Sequence, residues 1–422
     1  MLDIKLIRQD PDRVKQELKN RNIDVDIDEL LNLDKRRREL LVEIEELRAE
    51  KNEASKLIPA LKGDEREELI KEMCEVSKTL DNLEPRLKDV EKEFNNLMIK
   101  LPNLSHESVP IGKDETGNVV EKKWGSKPDF QFKVKDHEEL GLTLDIIDKE
   151  RGAKVSGSRF FFLKNEGVIL EFALINYVNE KLLKEDFTPI VPPVLVKQEA
   201  MFGTGFFPAE EWEYYETKTD NLYLIGTSEV PMCAYHAHEI LEKDKLPLKY
   251  SAFSTCFRRE SGTYGKDTRG MFRVHQFDKV EMFIFSDQEN SWNHYYYLLS
   301  IAEKILQELG LHYKVVNMCT GDIGAPNAKK DDIEVWFPWE KRYRELVSCS
   351  HDTDFQARRL KIKYRDKEGK LKLVHTMNST ACAIGRTITA ILENYQQKDG
   401  SVLIPNILKP YMKGIEKISP KK

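Results

Sequence analysis

Apolar residues recur at heptad spacing through residues 27–101, which is the strongest pattern in the chain. The first half of this segment has a less strict repeat from Leu30 to Ala54, and Pro59 and Gly63 interrupt the pattern between the halves. Such spacing predicts two helices of about 30–35 residues, folded back as an antiparallel coiled-coil hairpin. In the second half the steps alternate between four and three residues, at Leu69, Met73, Val76, Leu80, Leu83, Leu87, Val90, Phe94, Leu97 and Leu101.

Charge is concentrated in the same segment. Residues 27–101 hold 15 Lys and Arg against 20 Asp and Glu, which accounts for −5 of the net charge of −6. Since no part of the chain is strongly basic, the composition argues against a non-specific nucleic-acid coat, and a polyanion would have to bind local patches. The pattern alone favours a dimerisation coiled coil or a spacer, with a binding arm as the open alternative.

The rest of the chain consists of two regions that differ in composition. Residues 102–158 contain prolines, glycines and few long apolar runs, which predicts a linker that leads into the next domain. From residue 159 onward, a helix over 167–184 is followed by many strands with few intervening helices. This order predicts an α+β fold with a largely antiparallel sheet flanked by helices. The strand-like runs are 222–225, 251–257, 280–285, 313–318, 333–337 and 343–347, with a hairpin from 361–364 and 371–375.

Several classes of protein are disfavoured by what the sequence lacks. The six cysteines include no C-x-x-C pair, which argues against a disulfide framework and a zinc ribbon. No apolar run reaches the length of a membrane span, and the first residues carry no signal-peptide pattern, so we expect a cytoplasmic protein without membrane contact. There is no P-loop, no G-x-G-x-x-G, no G-x-S-x-G and no H-E-x-x-H.

The first block with candidate chemistry runs from Phe257 to Glu281. A strand ends at Arg258, a glycine-containing loop covers 261–270, and a second strand passes through Phe277. An arginine fork can bind phosphate through two hydrogen bonds, and an aromatic ring can stack on a base. An exposed, salt-bridged hairpin explains the charge pattern equally well.

The second block runs from Asn378 to Gln397. A strand ends at small residues, and the helix that follows carries Arg386 at its start. Because a cation at a helix N-terminus opposes the helix dipole, this position favours a phosphate-binding role over a solvated arginine.

Taken together, these blocks resemble the three motifs of class II aminoacyl-tRNA synthetases. Phe257-Arg-x-Glu260 with Phe277-x-x-x-Glu281 resembles motif 2, near 251–283, and Gly385-Arg386 resembles motif 3, near 378–397. Pro192 resembles the motif 1 proline at the dimer interface, near 167–193. Within the class, the hairpin and three further runs resemble the seryl-tRNA synthetase family over nearly the whole chain: Gly226–Val230, Arg344–Ser350 and Glu393–Gly400.

The resemblance implies a function and a domain plan. Residues 1–101 would form a tRNA-binding domain with the hairpin arm, 102–158 a linker, and 159–422 the catalytic domain. The implied reaction is ATP-dependent ligation of L-serine to tRNA(Ser) through seryl-adenylate, with Mg²⁺, in a homodimer. The resemblance extends this reaction to tRNA(Sec) where such a tRNA exists. Two alternatives stay open: a ligase that loads an amino acid onto a carrier protein, and a non-catalytic tRNA-binding regulator on a synthetase body.

The resemblance also assigns site residues. Arg258 would contact the α-phosphate of ATP and Arg386 the γ-phosphate, as the two catalytic residues, while Phe277 would stack on adenine. Glu345 and Ser348 would hold Mg²⁺. Binding of ATP is implied for Arg258, Arg259, Glu260, Val274, Phe277, Glu345, Leu346, Val347, Ser348 and Arg386. Binding of serine is implied for Thr227, Ser228, Glu229, Glu281, Asn378 and Thr380.

Overall fold

The computed structural model describes residues 1–208, 210–261 and 270–421. The chain forms two compact units, Leu2–Leu101 and Pro102–Lys422, the second of which includes Met1. None of the helices within the described ranges is long and apolar enough to cross a bilayer. The first unit consists of α1 (Ile4–Gln9), α2 (Pro11–Asn20), α3 (Ile27–Leu57) and α4 (Asp64–Met98).

Helices α3 and α4 are the two arms of the predicted hairpin. They contain 31 and 35 residues, and Asp26 caps the first turn of α3 by accepting from the backbone N–H groups of Asp28 and Glu29. Arg37 on α3 pairs with Glu91 on α4, and further along α3 Arg48 pairs with Glu84. Since the partner number falls as the first number rises, the helices run antiparallel, and the coiled-coil prediction is confirmed.

The hairpin is held together by its apolar seam more than by these exposed ion pairs, which contribute little to stability. Heptad positions on both helices are buried, and each buried aliphatic side chain contributes about 1.5–3 kcal/mol. The buried seam residues are Leu30, Leu33, Leu40, Ile44 and Ala54 on α3, and Met73, Val76, Leu80, Leu83, Val90 and Phe94 on α4.

The second unit contains the remaining elements. Its helices are α5 (His137–Thr143), α6 (Lys149–Ser156), α7 (Glu166–Lys184), α8 (Gln198–Thr204), α9 (Glu229–Ala234), α10 (Ser291–Glu308), α11 (Phe355–Leu360) and α12 (Ile384–Asn394). Its strands are β1 (Val119–Trp124), β2 (Ile147–Asp148), β3 (Phe162–Leu163), β4 (Thr188–Ile190), β5 (Leu195–Lys197), β6 (Leu222–Leu224), β7 (Ile240–Glu242), β8 (Leu248–Phe257), β9 (Gln276–Ser286), β10 (Tyr313–Asn317), β11 (Lys329–Phe337), β12 (Arg342–Thr353), β13 (Lys363–Arg365), β14 (Leu371–Leu373), β15 (His375–Ala383), β16 (Val402–Leu403) and β17 (Lys417–Ile418).

Eight of these strands form the central sheet, in the order β1-β10-β11-β12-β15-β9-β8-β4. All neighbouring pairs are antiparallel except β4 and β8, so the predicted α+β fold with a largely antiparallel sheet is confirmed. Strand β1 lies in the segment that the sequence predicts as a linker. All six of its residues are exposed and two are lysines, so it lacks the apolar run by which the other strands are recognised.

The two faces of the sheet have different surroundings. On β9, Val280, Met282 and Ile284 point into a core that also contains buried residues of α7, α10 and α12. Because side chains alternate along a strand, Lys279 and Glu281 point to the opposite face. There the sheet is apolar at one end, where β9 and β8 pack on α9 and α11, and polar at the other. The polar end is the site.

Candidate functional site

A cavity of about 380 Å³ opens on the polar end of the sheet. Strands β9, β11, β12 and β15 contribute to its wall, together with Arg258 directly after β8 and the start of α12. Thirteen of the sequence-predicted site residues line it: Thr227, Glu229, Arg258, Glu260, Val274, Phe277, Glu281, Glu345, Leu346, Ser348, Asn378, Thr380 and Arg386.

Two arginines define one compartment of the cavity. Arg258 follows directly after β8, where its Nε donates to the Gly226 carbonyl at 3.2 Å. Arg386 is the third residue of α12, and its Nη1 donates to the Glu345 carbonyl at 3.0 Å. Backbone carbonyls thus fix the planes of both guanidinium groups, which suits binding of phosphate through two hydrogen bonds.

Aromatic rings back the same two arginines. The Arg258 guanidinium carbon lies 5.3 Å from the Phe277 ring centre, and that of Arg386 lies 4.7 Å from the Phe272 ring centre. Arg344 lies 3.7 Å from the centre of the same Phe272 ring and pairs with Glu340. Rings and cations in one compartment are the surfaces that a nucleotide base and its phosphates require.

Glu345 and Ser348 lie on β12 beside Arg386. Ser348 Oγ lies 3.2 Å from Glu345 Oε1 and 2.7 Å from Asp332 Oδ1, and Glu345 Oε2 lies 3.5 Å from Arg386 Nη1. Desolvation in the cavity raises the pKa of Glu345, but the neighbouring cations Arg386, Lys330 and Arg258 outweigh it and lower the pKa to about 2. An ionised carboxylate next to a hydroxyl oxygen is the kind of ligand that Mg²⁺ accepts.

The second compartment is lined by hydroxyl and carboxyl groups. Lys279 Nζ donates to Thr227 Oγ1 at 2.8 Å and pairs with Glu281 Oε2 at 2.5 Å. Thr380 Oγ1 lies 3.5 Å from the same Glu281 oxygen. These contacts fix the carboxylate of Glu281 and leave hydroxyl groups and a second acid, Glu229, along the wall.

The carboxyl groups here are crowded and buried. Burial, together with the charges of Asp352 and Glu281, raises the pKa of Glu229 to about 8. Burial likewise raises the pKa of Asp352 to about 7 and that of Glu281 above its usual range. Lys279 pairs with Glu281, and its charge lowers the pKa of Glu229 and so opposes part of the effect of burial. The compartment therefore favours a ligand that brings its own positive charge and a hydroxyl group.

Three sequence-predicted residues do not line the cavity. Val347 is buried in the core on the opposite face of β12. Ser228 is fully buried before α9, and its Oγ donates to the Ala252 carbonyl at 3.4 Å. Arg259 has its backbone N–H bonded to the Glu213 carbonyl at 2.8 Å, and its side chain lies outside the cavity wall. These three residues therefore lie outside the cavity wall, and their binding of ATP or serine stays a prediction.

Several other residues of the cavity wall are not among those predicted from the sequence. Lys279 lies between Phe277 and Glu281 on one face of β9, and strand alternation alone would have identified it. Phe272, Arg273 and Lys330 also line the cavity, but no sequence signal separates them from ordinary surface residues. Most of the glycine-containing loop predicted over 261–270 lies outside the described residues.

Family comparisons agree with this geometry. Residues 212–395 match the tRNA synthetase class II core domain (G, H, P, S and T), and residues 1–105 match the seryl-tRNA synthetase N-terminal domain. A structure of the RNA binding domain of threonyl-tRNA synthetase from Cryptosporidium parvum Iowa II is similar in fold over 62% of this chain and 72% of that chain, at 19% identity and a TM-score of 0.54.

Two solved structures resemble the entire chain. A seryl-tRNA synthetase from Pyrococcus horikoshii, complexed with ATP, is 42% identical over 100% of both chains, with a TM-score of 0.93. A cytoplasmic serine–tRNA ligase from Naegleria fowleri, in complex with AMP, is 34% identical over 100% of this chain and 99% of that chain, with a TM-score of 0.89. Full-length similarity at these identities, together with the matched domains, shows that the chain belongs to the seryl-tRNA synthetase family of class II aminoacyl-tRNA synthetases.

Proposed function

We propose that the cavity of this serine–tRNA ligase activates L-serine with ATP and then transfers the seryl group to tRNA(Ser). The observation that carries the proposal is the division of one cavity into an arginine compartment, with Arg258 and Arg386, and a carboxylate compartment, with Glu229 and Glu281. ATP is an anion with an aromatic base, and serine carries an ammonium and a hydroxyl group. Each substrate therefore complements one compartment, and their reacting groups meet between the two.

In the first step a serine carboxylate oxygen attacks the α-phosphorus, an O–P bond forms, and the bond to pyrophosphate breaks. The protein makes no covalent bond, so it acts by positioning and by stabilising charge. Arg258 neutralises charge on the α-phosphate, Arg386 holds the outgoing pyrophosphate, and Phe277 supports the adenine ring. Glu260, which lines the cavity and pairs with Arg273 at 2.5 Å, would accept from the adenine amino group.

Mg²⁺ fits the pair Glu345 and Ser348. The described residues contain no cluster of three or more His, Cys, Asp or Glu side chains that could hold a metal ion, so the phosphates and water would supply the other ligands. When bound there, Mg²⁺ would neutralise negative charge on the phosphates. Glu345 is suited to this role because the surrounding cations keep it ionised.

Selection of serine follows from the carboxylate compartment. A buried wall that hydrogen-bonds the serine hydroxyl rejects alanine strongly, because its own polar groups would be left unpaired. Thr380, Asn378 and Glu281 line that wall. Threonine differs by one added methyl group and has to be excluded by shape, which is the weaker mechanism.

The remaining assignments concern partners and location. We propose that the α3–α4 hairpin binds tRNA by shape and backbone contacts, for tRNA(Ser) and, where it exists, tRNA(Sec). A homodimer is supported by exposed apolar side chains on and after α7, namely Phe172, Leu183 and Val191, which are 59%, 53% and 80% exposed. A cytoplasmic location is supported by six cysteines that are all free thiols.

The test is transfer of radiolabelled serine to tRNA(Ser) and tRNA(Sec) transcripts, with ATP and Mg²⁺ present. We expect ester-linked serine on tRNA(Ser), and size-exclusion chromatography should give a dimer. Adenylate formation without transfer to any tRNA would favour the carrier-protein ligase. Binding of tRNA without adenylate formation would favour the non-catalytic regulator.

A further inference from the structure

Gln356 lies behind the carboxylate compartment and is bonded through both ends of its amide. It is the second residue of α11, is fully buried and does not line the cavity. Its Nε2 donates to Glu229 Oε1 at 2.8 Å and to the Thr204 carbonyl at 3.1 Å. Its Oε1 accepts from Thr376 Oγ1 at 2.7 Å and from the Cys233 thiol at 3.3 Å. The one side chain therefore joins α11 to three other elements, α8, α9 and β15.

These partners permit a single orientation of the amide. A carboxylate and a backbone carbonyl only accept, so the Nε2 end has to face Glu229 and Thr204. The hydroxyl of Thr376 donates to the other end. A flipped amide would place Oε1 against two acceptors and lose both bonds. Gln356 is thus a fixed donor to one oxygen of Glu229, whose side chain also lines the cavity.

The groups around Glu229 determine how strongly this donor affects its ionisation. The charged and titratable groups that influence it come from several elements: Asp352 on β12, Glu281 and Lys279 on β9, Cys233 on α9, and Tyr214. Burial and the two acids raise the pKa of Glu229 to about 8, whereas the hydrogen bond from Gln356 acts in the opposite direction by stabilising the ionised form.

We propose that Gln356 is a positioning residue for the substrate ammonium group: its donor fixes the orientation of the Glu229 carboxyl group at the cavity wall and favours the ionised form, so that the cavity binds an α-amino acid in its ammonium form. The inference rests on the proposed function of the cavity as the serine site. Gln356 acts through Glu229 and makes no contact with the ligand itself.

The test is serine-dependent ATP–pyrophosphate exchange with purified full-length Gln356→Glu, which keeps the size of the side chain and the acceptor for Thr376 but replaces the donor. We expect the KM for serine to rise about tenfold at pH 7, with kcat and the KM for ATP within about twofold. Since ammonium binding uses ionised Glu229, the pH below which the serine KM rises should also move upward in the variant.

Thr376→Val is the matched control, because it removes the bond at the other end of the same amide and leaves the donation to Glu229 intact. We expect a lower melting temperature but an unchanged serine KM and pH profile. Equal effects of both variants on the serine KM, with no shift of the pH profile, would make Gln356 a packing residue and overturn the proposal. If Gln356→Glu does not fold, Gln356→Met is judged by the same criteria. Failure of the wild type to exchange with serine would instead reject the proposed function.

Discussion

Replacing Arg386 by alanine should specifically impair use of ATP. An arginine has five N–H donors, of which the described contacts assign one on Nη1 to the Glu345 carbonyl and that on Nε to the Phe272 carbonyl, at 3.0 and 3.4 Å. The remaining donors face a cavity that we assign to phosphates. Two charge-assisted hydrogen bonds contribute about 1.5–3 kcal/mol each, so their loss, partly offset by water entering the cavity, costs about 3–4 kcal/mol. That cost corresponds to a loss of about 10²–10³-fold in kcat/KM for ATP.

The assay is serine-dependent ATP–pyrophosphate exchange at saturating Mg²⁺, with ATP varied. Arg344→Ala is the control, because Arg344 contacts the same Phe272 ring and pairs with Glu340 but does not line the cavity. We expect that control to lower stability and to change kcat/KM for ATP less than about tenfold. A kcat/KM for ATP of the Arg386→Ala enzyme within tenfold of the wild type would show that Arg386 does not hold the phosphates.

Three further predictions address the metal, the acids and the hairpin. Glu345→Gln should raise the Mg²⁺ concentration for half-maximal exchange by about tenfold or more, because a charged ligand is lost; an unchanged Mg²⁺ titration would contradict the assignment. Glu229→Gln should lose serine affinity yet unfold at a higher temperature than the wild type at pH 8. Burial raises the pKa of Glu229 to about 8, so the folded wild type binds this proton more tightly than the unfolded chain does. The free energy of unfolding of the wild type therefore falls as pH rises above the ordinary carboxyl range. The stability advantage of Glu229→Gln should accordingly disappear as the pH is lowered toward 5. Deleting residues 30–100 should leave pyrophosphate exchange intact and abolish charging of tRNA; unchanged charging would reject the role of the hairpin.

The elements that the sequence predicts well are those with a strong apolar period. The seam from Leu69 to Leu101 has one way to bury its apolar face, and the 35-residue helix α4 contains all of its positions up to Leu97. The long central strands carry apolar runs for the same reason. Strand β1 has none, because at the sheet edge its side chains remain exposed, and pairing with β10 decides its conformation.

The candidate site likewise contains some residues that the sequence predicts and others that it does not. Arg258, Arg386 and Glu281 belong to short motifs and were found through their resemblance to a family. The resemblance does not assign Lys279 to the site, although strand alternation places it on the same face as Phe277 and Glu281. Gln356 is different, because its partner Glu229 is 127 residues away and only the folded chain brings the two together. Val347 is the opposite case. The family resemblance assigns it to the ATP site, whereas its side chain lies in the core on the other face of β12.

We propose above that one cavity binds ATP in its arginine compartment and serine in its carboxylate compartment. The most direct measurement is ATP–pyrophosphate exchange by the purified protein with Mg²⁺ and each of serine, threonine, alanine and glycine. We expect exchange with serine and none above background with alanine or glycine. Exchange with another amino acid in preference to serine would contradict the assigned pocket, and no exchange with any of the four would contradict the claim that this cavity forms an adenylate.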